Sequence, residues 1–440
     1  MTAETTTALG GARRVPAPDP IARDYLLLAL RLDQHTPGLV DGYFGPADLK
    51  AIVDLEQLRS PSVLAADADA LLARIGDEVF EPERRDWLIA QVVALRAQAR
   101  VLAGARPSYL DYVRELFEWS PVRRDESMFD EAASAIDALL PGAAPLADRL
   151  AAWDDRFVIP GERLAGVVDW LVERFRARAA TTFGLPPGEA LTVRLVRGQP
   201  WSGYNWFSGG GQSRFDLNTD LPVRAADLVH VAAHEAYPGH HLEHATKEAT
   251  LVDRLGRLEA SILLINTPEC LVSEGLADLG HEFASPLAEE PDLLLELYER
   301  AGLEITRDAD AARDAAERTV ALAPYRRTLA ESRVNAALMR HADGRSHEEV
   351  LAWLEAVGRF SPPVAAKRLE FIEHPLWRTY VFVYHEGEAL LRAWLDGGRD
   401  SSGATSGDAA SGDRAERFGR LLRDQLSPAT IAAQIGTAAG

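Results

Sequence analysis

From Ile21 onward, apolar residues recur mostly at three and four positions, the spacing that lines one face of a helix. Leu26, Leu27, Leu30 and Leu32 form one such stripe. Trp87, Leu88, Val92, Val93 and Leu95 form a second, and Leu164, Val167, Val168, Trp170 and Leu171 a third. These stripes predict a mainly α-helical fold. The rhythm breaks in one region, where Leu191 to Val196 alternates like a strand and Arg214 to Asn218 does so again. Between them, Trp201 to Gly211 is rich in Gly, Ser and aromatic residues, so we expect a small antiparallel β-sheet with a glycine-rich loop.

A second helical block is expected from Ala225 to about Leu395, with Pro268, Pro286, Pro291, Pro324, Pro362, Pro363 and Pro375 marking boundaries or helix starts. A helix from about Leu255 to Ile265 should precede the one that opens at Pro268. Residues 1–19 lack periodicity and read as a flexible tail; the Gly, Ser, Asp and Ala composition near 397–413 predicts a disordered loop. A last helix is expected over about Arg414 to Leu426, and residues 20–440 are taken as a single domain.

Length and composition narrow the function classes. A chain of 440 residues has ample sequence for a buried core. Its formal net charge of −20 repels phosphate backbones and anionic lipid, so neither nucleic acid nor a membrane is an expected partner. A single cysteine, Cys270, excludes an intramolecular disulfide framework and any zinc site needing two thiolates. No apolar stretch approaches the roughly 18 residues of a membrane span, and the start lacks a secretory h-region, which places the expected location in the cytoplasm. Nothing in the chain indicates an oligomeric state.

The chemistry concentrates in one window. Of 11 histidines, His230, His234, His240, His241 and His244 lie within fifteen residues, on a segment that begins as a helix with Leu228, Val229 and Ala232 on its apolar face. His234-Glu235 followed by a later histidine is the zinc-hydrolase pattern: two imidazoles hold the metal and the adjacent carboxylate acts as the base. The regular spacing is four residues, yet Pro238 stands at that place. In an unbroken helix His240 would point about 120° away from His234, and His241 would lie about 10 Å higher on the same face. Pro238 cannot donate to the His234 carbonyl and Gly239 tolerates unusual backbone angles, so the helix must kink or bulge between them. A bulge of two extra residues would bring His240 into the second ligand's place, with His241 the next choice. His230 with His234 already has one-turn spacing and is the competing pair.

A third, acidic ligand is expected on a nearby helix. Glu274 is the candidate; Gly275 beside it permits close helix approach, and Asp278 one turn on is placed to orient a ligand histidine. The string from His234 to Leu242, followed by Ser273-Glu-Gly-Leu-Ala277, resembles the bacterial family catalogued as domain of unknown function 885, which carries His-Glu-x-x-Pro-Gly-His-His-Leu and then Glu-Gly-Trp-Ala. The resemblance implies a large helical fold similar to gluzincin metallopeptidases. It marks His234, His240 or His241, and Glu274 as ligands, with Glu235 as base. Arg333, His341 and Tyr384-x-x-Gly387 match later positions of the family, while Leu276 replaces a tryptophan and Ala337 an expected aspartate, departures that bear on substrate preference.

The expected function is therefore a zinc-dependent hydrolase of peptide or other amide bonds, acting on a small peptide or amide substrate. Tyr384 is the expected oxyanion donor by analogy with metallopeptidases, and Arg214, Asn218, His241, Arg333 and His341 are candidates for substrate binding. Phe215 and Leu217 would leave a strand edge to which an extended substrate adds. Two readings compete: a non-haem iron oxygenase, because two histidines and a carboxylate also hold iron, and a binding protein without turnover. Manganese accepts similar donors.

Overall fold

The leucine stripes near the start of the chain become helices because each buries one face against the next. The computed structural model describes residues 19–79, 81–199, 201–397 and 408–436. The tail expected over 1–19 lies outside these apart from Asp19, as do residues 398–407 of the expected loop. Helices Pro20–Asp33, Ala47–Leu55, Pro61–Glu78 and Pro82–Leu102 share one core in which Leu26, Leu32, Leu64, Leu88 and Leu95 are fully buried. Pro20, Pro61 and Pro82 open three of them, where the missing N–H costs nothing, and Asp19 caps the first by accepting from the Ala22 N–H at 2.7 Å.

Among the described residues five short strands interrupt the helices: β1 (Val40–Tyr43), β2 (Ala190–Val196), β3 (Gly203–Gly209), β4 (Gln212–Asn218) and β5 (Ile262–Leu264). β1 and β5 pair antiparallel and carry the 250–265 segment onto the first core. The helix expected from Leu255 to Ile265 is thus replaced by a short 3-10 turn, Leu258–Ser261, and a strand. Pairing with a strand distant in sequence overrides the local pattern here. The other three strands form a sheet ordered β2-β4-β3. β3 and β4 make an antiparallel hairpin, while β2 adds parallel to β4, so the sheet is mixed. β4 is central, and the edge expected at Phe215 and Leu217 lies instead on β3, in the stretch expected to be a loop. The hairpin turn is held by Glu248, which accepts from the N–H groups of Gly210 and Gly211 at 2.9 and 2.7 Å.

A second, larger core joins this sheet to helices that include Ala225–Glu235, Pro268–Ala284, Ser332–His341, Pro362–Glu373 and Val383–Leu395. Its tightest crossing is between Pro268–Ala284 and Val383–Leu395. A Cβ on Gly275 would strike the Gly387 carbonyl group, and one on Gly387 the Leu271 oxygen, so the two backbones touch. Around that contact Leu271, Leu276, Leu279, Leu390 and Leu391 are buried, each worth roughly 2 kcal/mol of transfer free energy. The fold is mainly α with a small sheet beside the His-Glu helix.

At the C-terminal side, helix Asp408–Leu421 begins earlier than the expected Arg414, within the segment taken as a loop, and a further helix follows at Pro428–Ile435. Composition misleads there because Phe418, Leu421 and Leu422 dock on the core and Arg414 pairs with Glu282 at 2.8 Å, which stabilises the helix from outside. No helix among the described residues is long and apolar enough to cross a membrane. A cavity of about 2180 Å³ runs between the two cores, lined by Asp41 and Trp87 from the first and by His234, Glu235, Arg333 and Tyr384 from the second.

Candidate metal centre

The break in the His-Glu helix is what assembles the site. Helix Ala225–Glu235 stops at Ala236, whose φ of −110° and ψ of −90° are not helical, and the next helix, His240–Lys247, begins right after Gly239. Across the break the Gly239 N–H donates to Ala233 at 3.0 Å and the Leu242 N–H to Ala236 at 3.4 Å. Both bonds span six residues where a helix spans four, so two extra residues are accommodated, and the Tyr237-Pro238 peptide within them is cis. Six residues therefore do the work of four, bringing the His234 and His240 rings to 4.7 Å between centroids, at 90° to one another. Gly239 is required by crowding: a Cβ there would collide with the carbonyl oxygens of His234 and Ala233.

Glu274 completes the group. Its Oε2 lies 3.4 Å from His234 Nε2 and its Oε1 3.5 Å from His240 Nε2. The donor atoms of a tetrahedral ion with bonds of about 2.1 Å lie about 3.4 Å apart, so this spacing suits one divalent cation. The other ring nitrogens are engaged: His234 Nδ1 is 2.9 Å from Asp278 Oδ1, and His240 Nδ1 is 3.3 Å from Ser273 Oγ, which itself donates to Glu243 at 2.5 Å. With an ion in place, that pattern would keep the protons on Nδ1 and leave both Nε2 atoms, which face Glu274, free to coordinate. Tyr380 donates to Glu274 Oε1 at 2.5 Å, whereas Oε2 is buried with no hydrogen-bond donor among the described residues. A buried carboxylate oxygen left without a donor beside His234 Nε2, with His240 Nε2 against the other oxygen, fits a cation, and these three residues could hold one.

Charge coupling describes the same cluster without an ion. Burial opposes the charge on Glu274, but His240 and His234 outweigh it and hold the carboxyl down at about 2. Burial likewise opposes protonation of His240, yet Glu274 and Glu243 lift it to about 10. A cation must displace these protons, so its affinity falls as pH falls. Asp278 orients His234 and also lies 3.4 Å from His230 Nε2. Replacing Asp278 by Asn is expected to weaken metal affinity 10–100-fold, read by competition with a chromophoric chelator; unchanged affinity would show that Asp278 does not orient His234.

Among the described residues two other groupings are close enough to share an ion, His230-His234-Asp278 and His240-Glu243-His244. The first draws on Asp278, which already lies 2.9 Å from His234 Nδ1, and the second on Glu243, to which Lys247 donates at 2.8 Å. Neither competes well with Glu274. Glu235, next to His234, faces the cavity and its Cγ packs against Gly203 of β3. Burial raises its pKa above the usual carboxylate value, with His234 and His240 partly offsetting the effect. Among the described residues nothing donates to its carboxylate; only its backbone carbonyl is bound, by Asn205 Nδ2 at 2.8 Å.

The remaining expected residues divide. Tyr384 and Arg333 line the cavity, the Tyr384 ring 6.4 Å from that of His234. His241 does not: it is fully buried behind the sheet, with Nδ1 2.8 Å from Ser213 Oγ and Nε2 2.8 Å from Glu189, so it serves neither as ligand nor as substrate contact. His341 is also turned away, its Nε2 against the Ile372 carbonyl at 2.8 Å and its ring on Tyr109. Arg214 lies outside the cavity, pairing with Asp216 over the Trp206 ring. Asn218 reaches the rim, but its amide is bound to the Gln199 and Trp201 carbonyls and shapes the loop before β3. Tyr380, Ser273 and Glu243 have no role assigned from sequence, nor have Glu189, Ser213 and Asn205, which form with His241 the chain that braces the bulge. No local pattern marks them, since each acts through a contact made by folding. Asp41, brought in by β1 and contacted by the Tyr204 hydroxyl, is another such residue.

No family model matches this chain, and no curated protein matches it. Among solved structures, a Colwellia psychrerythraea protein provisionally described as a lipoprotein is 15% identical with a TM-score of 0.48, over 84% of this chain and 66% of that one. A Shewanella oneidensis protein, likewise described and of unknown function, is 12% identical with a TM-score of 0.37, over 85% and 76%. The chain thus spans just under two thirds of the length of the Colwellia protein.

Proposed function

We propose that the protein is a zinc-dependent hydrolase of peptide or other amide bonds, with His234, His240 and Glu274 as ligands and Glu235 as general base. The observation that carries this reading is the set of donor atoms 3.4 and 3.5 Å apart, beside a cavity-facing carboxylate to which no group among the described residues donates. The resemblance of the His234 to Leu242 string to the domain-of-unknown-function 885 family supports the same reading. When bound, the ion supplies Lewis acidity, which acidifies a water molecule and polarises a carbonyl oxygen.

The chain's own groups account for the rest. Glu235, with its proton affinity raised by burial, accepts the proton of the attacking water and returns it to the leaving amine. Tyr384, which lines the same cavity with its ring 6.4 Å from that of His234, supplies a hydroxyl for the substrate oxygen as that oxygen gains charge. β3, paired on one side only within its sheet, offers backbone groups to an extended substrate near Glu235.

Elemental analysis of the purified protein, followed by assays on a panel of blocked peptides and acylated amino acids, tests the proposal. One zinc per chain is expected, with turnover lost on chelation and restored by zinc. Iron with oxygen consumption, or turnover indifferent to chelator, would overturn it.

A further inference from the structure

Arginines facing the cavity are nearly all paired. Arg326 binds Asp154 at 2.6 Å, Arg327 binds Glu388 at 2.8 Å, and Arg392 binds Glu282 and Glu388. Arg333 and Arg368 are different. Among the described residues neither has a carboxylate partner, although both line the same cavity. Arg333 donates through Nε to the Ala330 carbonyl at 3.2 Å and through Nη2 to His385 Nε2 at 2.8 Å. The remaining donors of its five are unassigned. His385 is no counter-ion, because burial keeps that imidazole neutral, with Arg333 adding to the effect. Arg368 lies over the Phe360 ring at 4.1 Å, and its Nε is buried without an acceptor. Burial and then the nearby Arg333 charge bring the Arg368 guanidinium down to about 9.

Asp278 favours the Arg333 charge only through space, and two guanidiniums that line one cavity with no carboxylate hydrogen-bonded to either among the described residues are unfavourable unless a ligand brings one. The planar guanidinium suits a carboxylate, which it binds through two parallel N–H bonds. Position narrows the choice. The Arg333 guanidinium lies 5.9 Å from the centre of the Tyr384 ring, which is 6.4 Å from that of His234. The guanidinium is therefore at most about 12 Å from the His234 ring, a gap that about three extended residues span.

We propose that Arg333 and Arg368 form a subsite for the free α-carboxylate of a peptide or acylated amino acid, which makes the protein an exopeptidase-type hydrolase acting within about three residues of the C-terminus. This specificity rests on the hydrolase reading above, but the subsite itself does not need turnover to be detected. Calorimetric titration of the metal-free protein with acetyl-Ala-Ala and with its C-terminal amide should show the free acid binding at least tenfold more tightly. Arg333→Met and Arg368→Met should each lose most of that preference, and Arg368→Lys should keep part of it. Thermal unfolding of each variant checks that it is folded, and the acid-amide comparison on the unaltered protein needs no variant. In the zinc-loaded enzyme the same Met substitutions should raise KM for free-acid peptides with kcat little changed. Equal binding of acid and amide, no binding of either, an internal glutamate binding as well as the terminal carboxylate, or a preference that survives both Met substitutions would each overturn the proposal. An acid preference in a protein without hydrolytic activity would instead defeat the hydrolase reading and leave the subsite standing.

Discussion

Replacing Glu235 by Gln is expected to lower turnover by about 10²–10⁴-fold, the range contributed by a positioned general base. Gln keeps the volume and the contact with Gly203 but cannot accept a proton. The metal content should be unchanged, because the candidate donors are His234 Nε2, His240 Nε2 and Glu274 and no contact links the Glu235 carboxylate to them. The separation of the two readouts is what makes the experiment decisive. Retained turnover would remove Glu235 from the mechanism, and loss of metal together with turnover would make Glu235 a ligand, contrary to the geometry.

Replacing Gly239 by Ala is expected to damage both stability and metal binding. The added methyl has no space, since the His234 and Ala233 carbonyl oxygens occupy its position and both belong to backbone that cannot move alone. Overfilling a packed site costs about 1–3 kcal/mol, and here relief requires the bulge to open. Opening it would move His240 away from Glu274 and undo the 3.5 Å approach. Urea unfolding of the metal-free variant should show the lower stability, and chelator competition a loss of affinity of at least about tenfold, one 1.4 kcal/mol step. A variant with the affinity of the unaltered protein would show that the bulge does not hold the two imidazoles together.

How far the site is legible in the chain differs from residue to residue. His234, Glu235 and Glu274 are marked by residue type and spacing alone. His240 is selected over His241 by a step of geometry, two extra residues in the hydrogen-bond ladder, and the six-residue bonds from Gly239 and Leu242 show that step in the backbone. His241, adjacent in sequence and identical in type, points the other way into Ser213 and Glu189. His341 and Arg214 fail for a related reason: a helix or strand position says which face a side chain occupies, not which neighbour that face meets. Gly275 and Gly387 are legible as small residues, but that they meet one another is not.

The sequence by itself determined the helical class, the interrupted His-Glu segment and the acidic partner on the next long helix. These depend on interactions between residues a few positions apart, which periodicity and backbone chemistry encode directly. Only the tertiary structure decided that residues 262–264 pair with β1 as a strand, that β2 joins its sheet in parallel, that His241 is buried, and that Arg333 and Arg368 line one cavity with no carboxylate hydrogen-bonded to either among the described residues. Each of those outcomes turns on contacts between distant segments, whose free energy outweighs the weak local preferences of the residues involved and leaves no periodic trace in the chain.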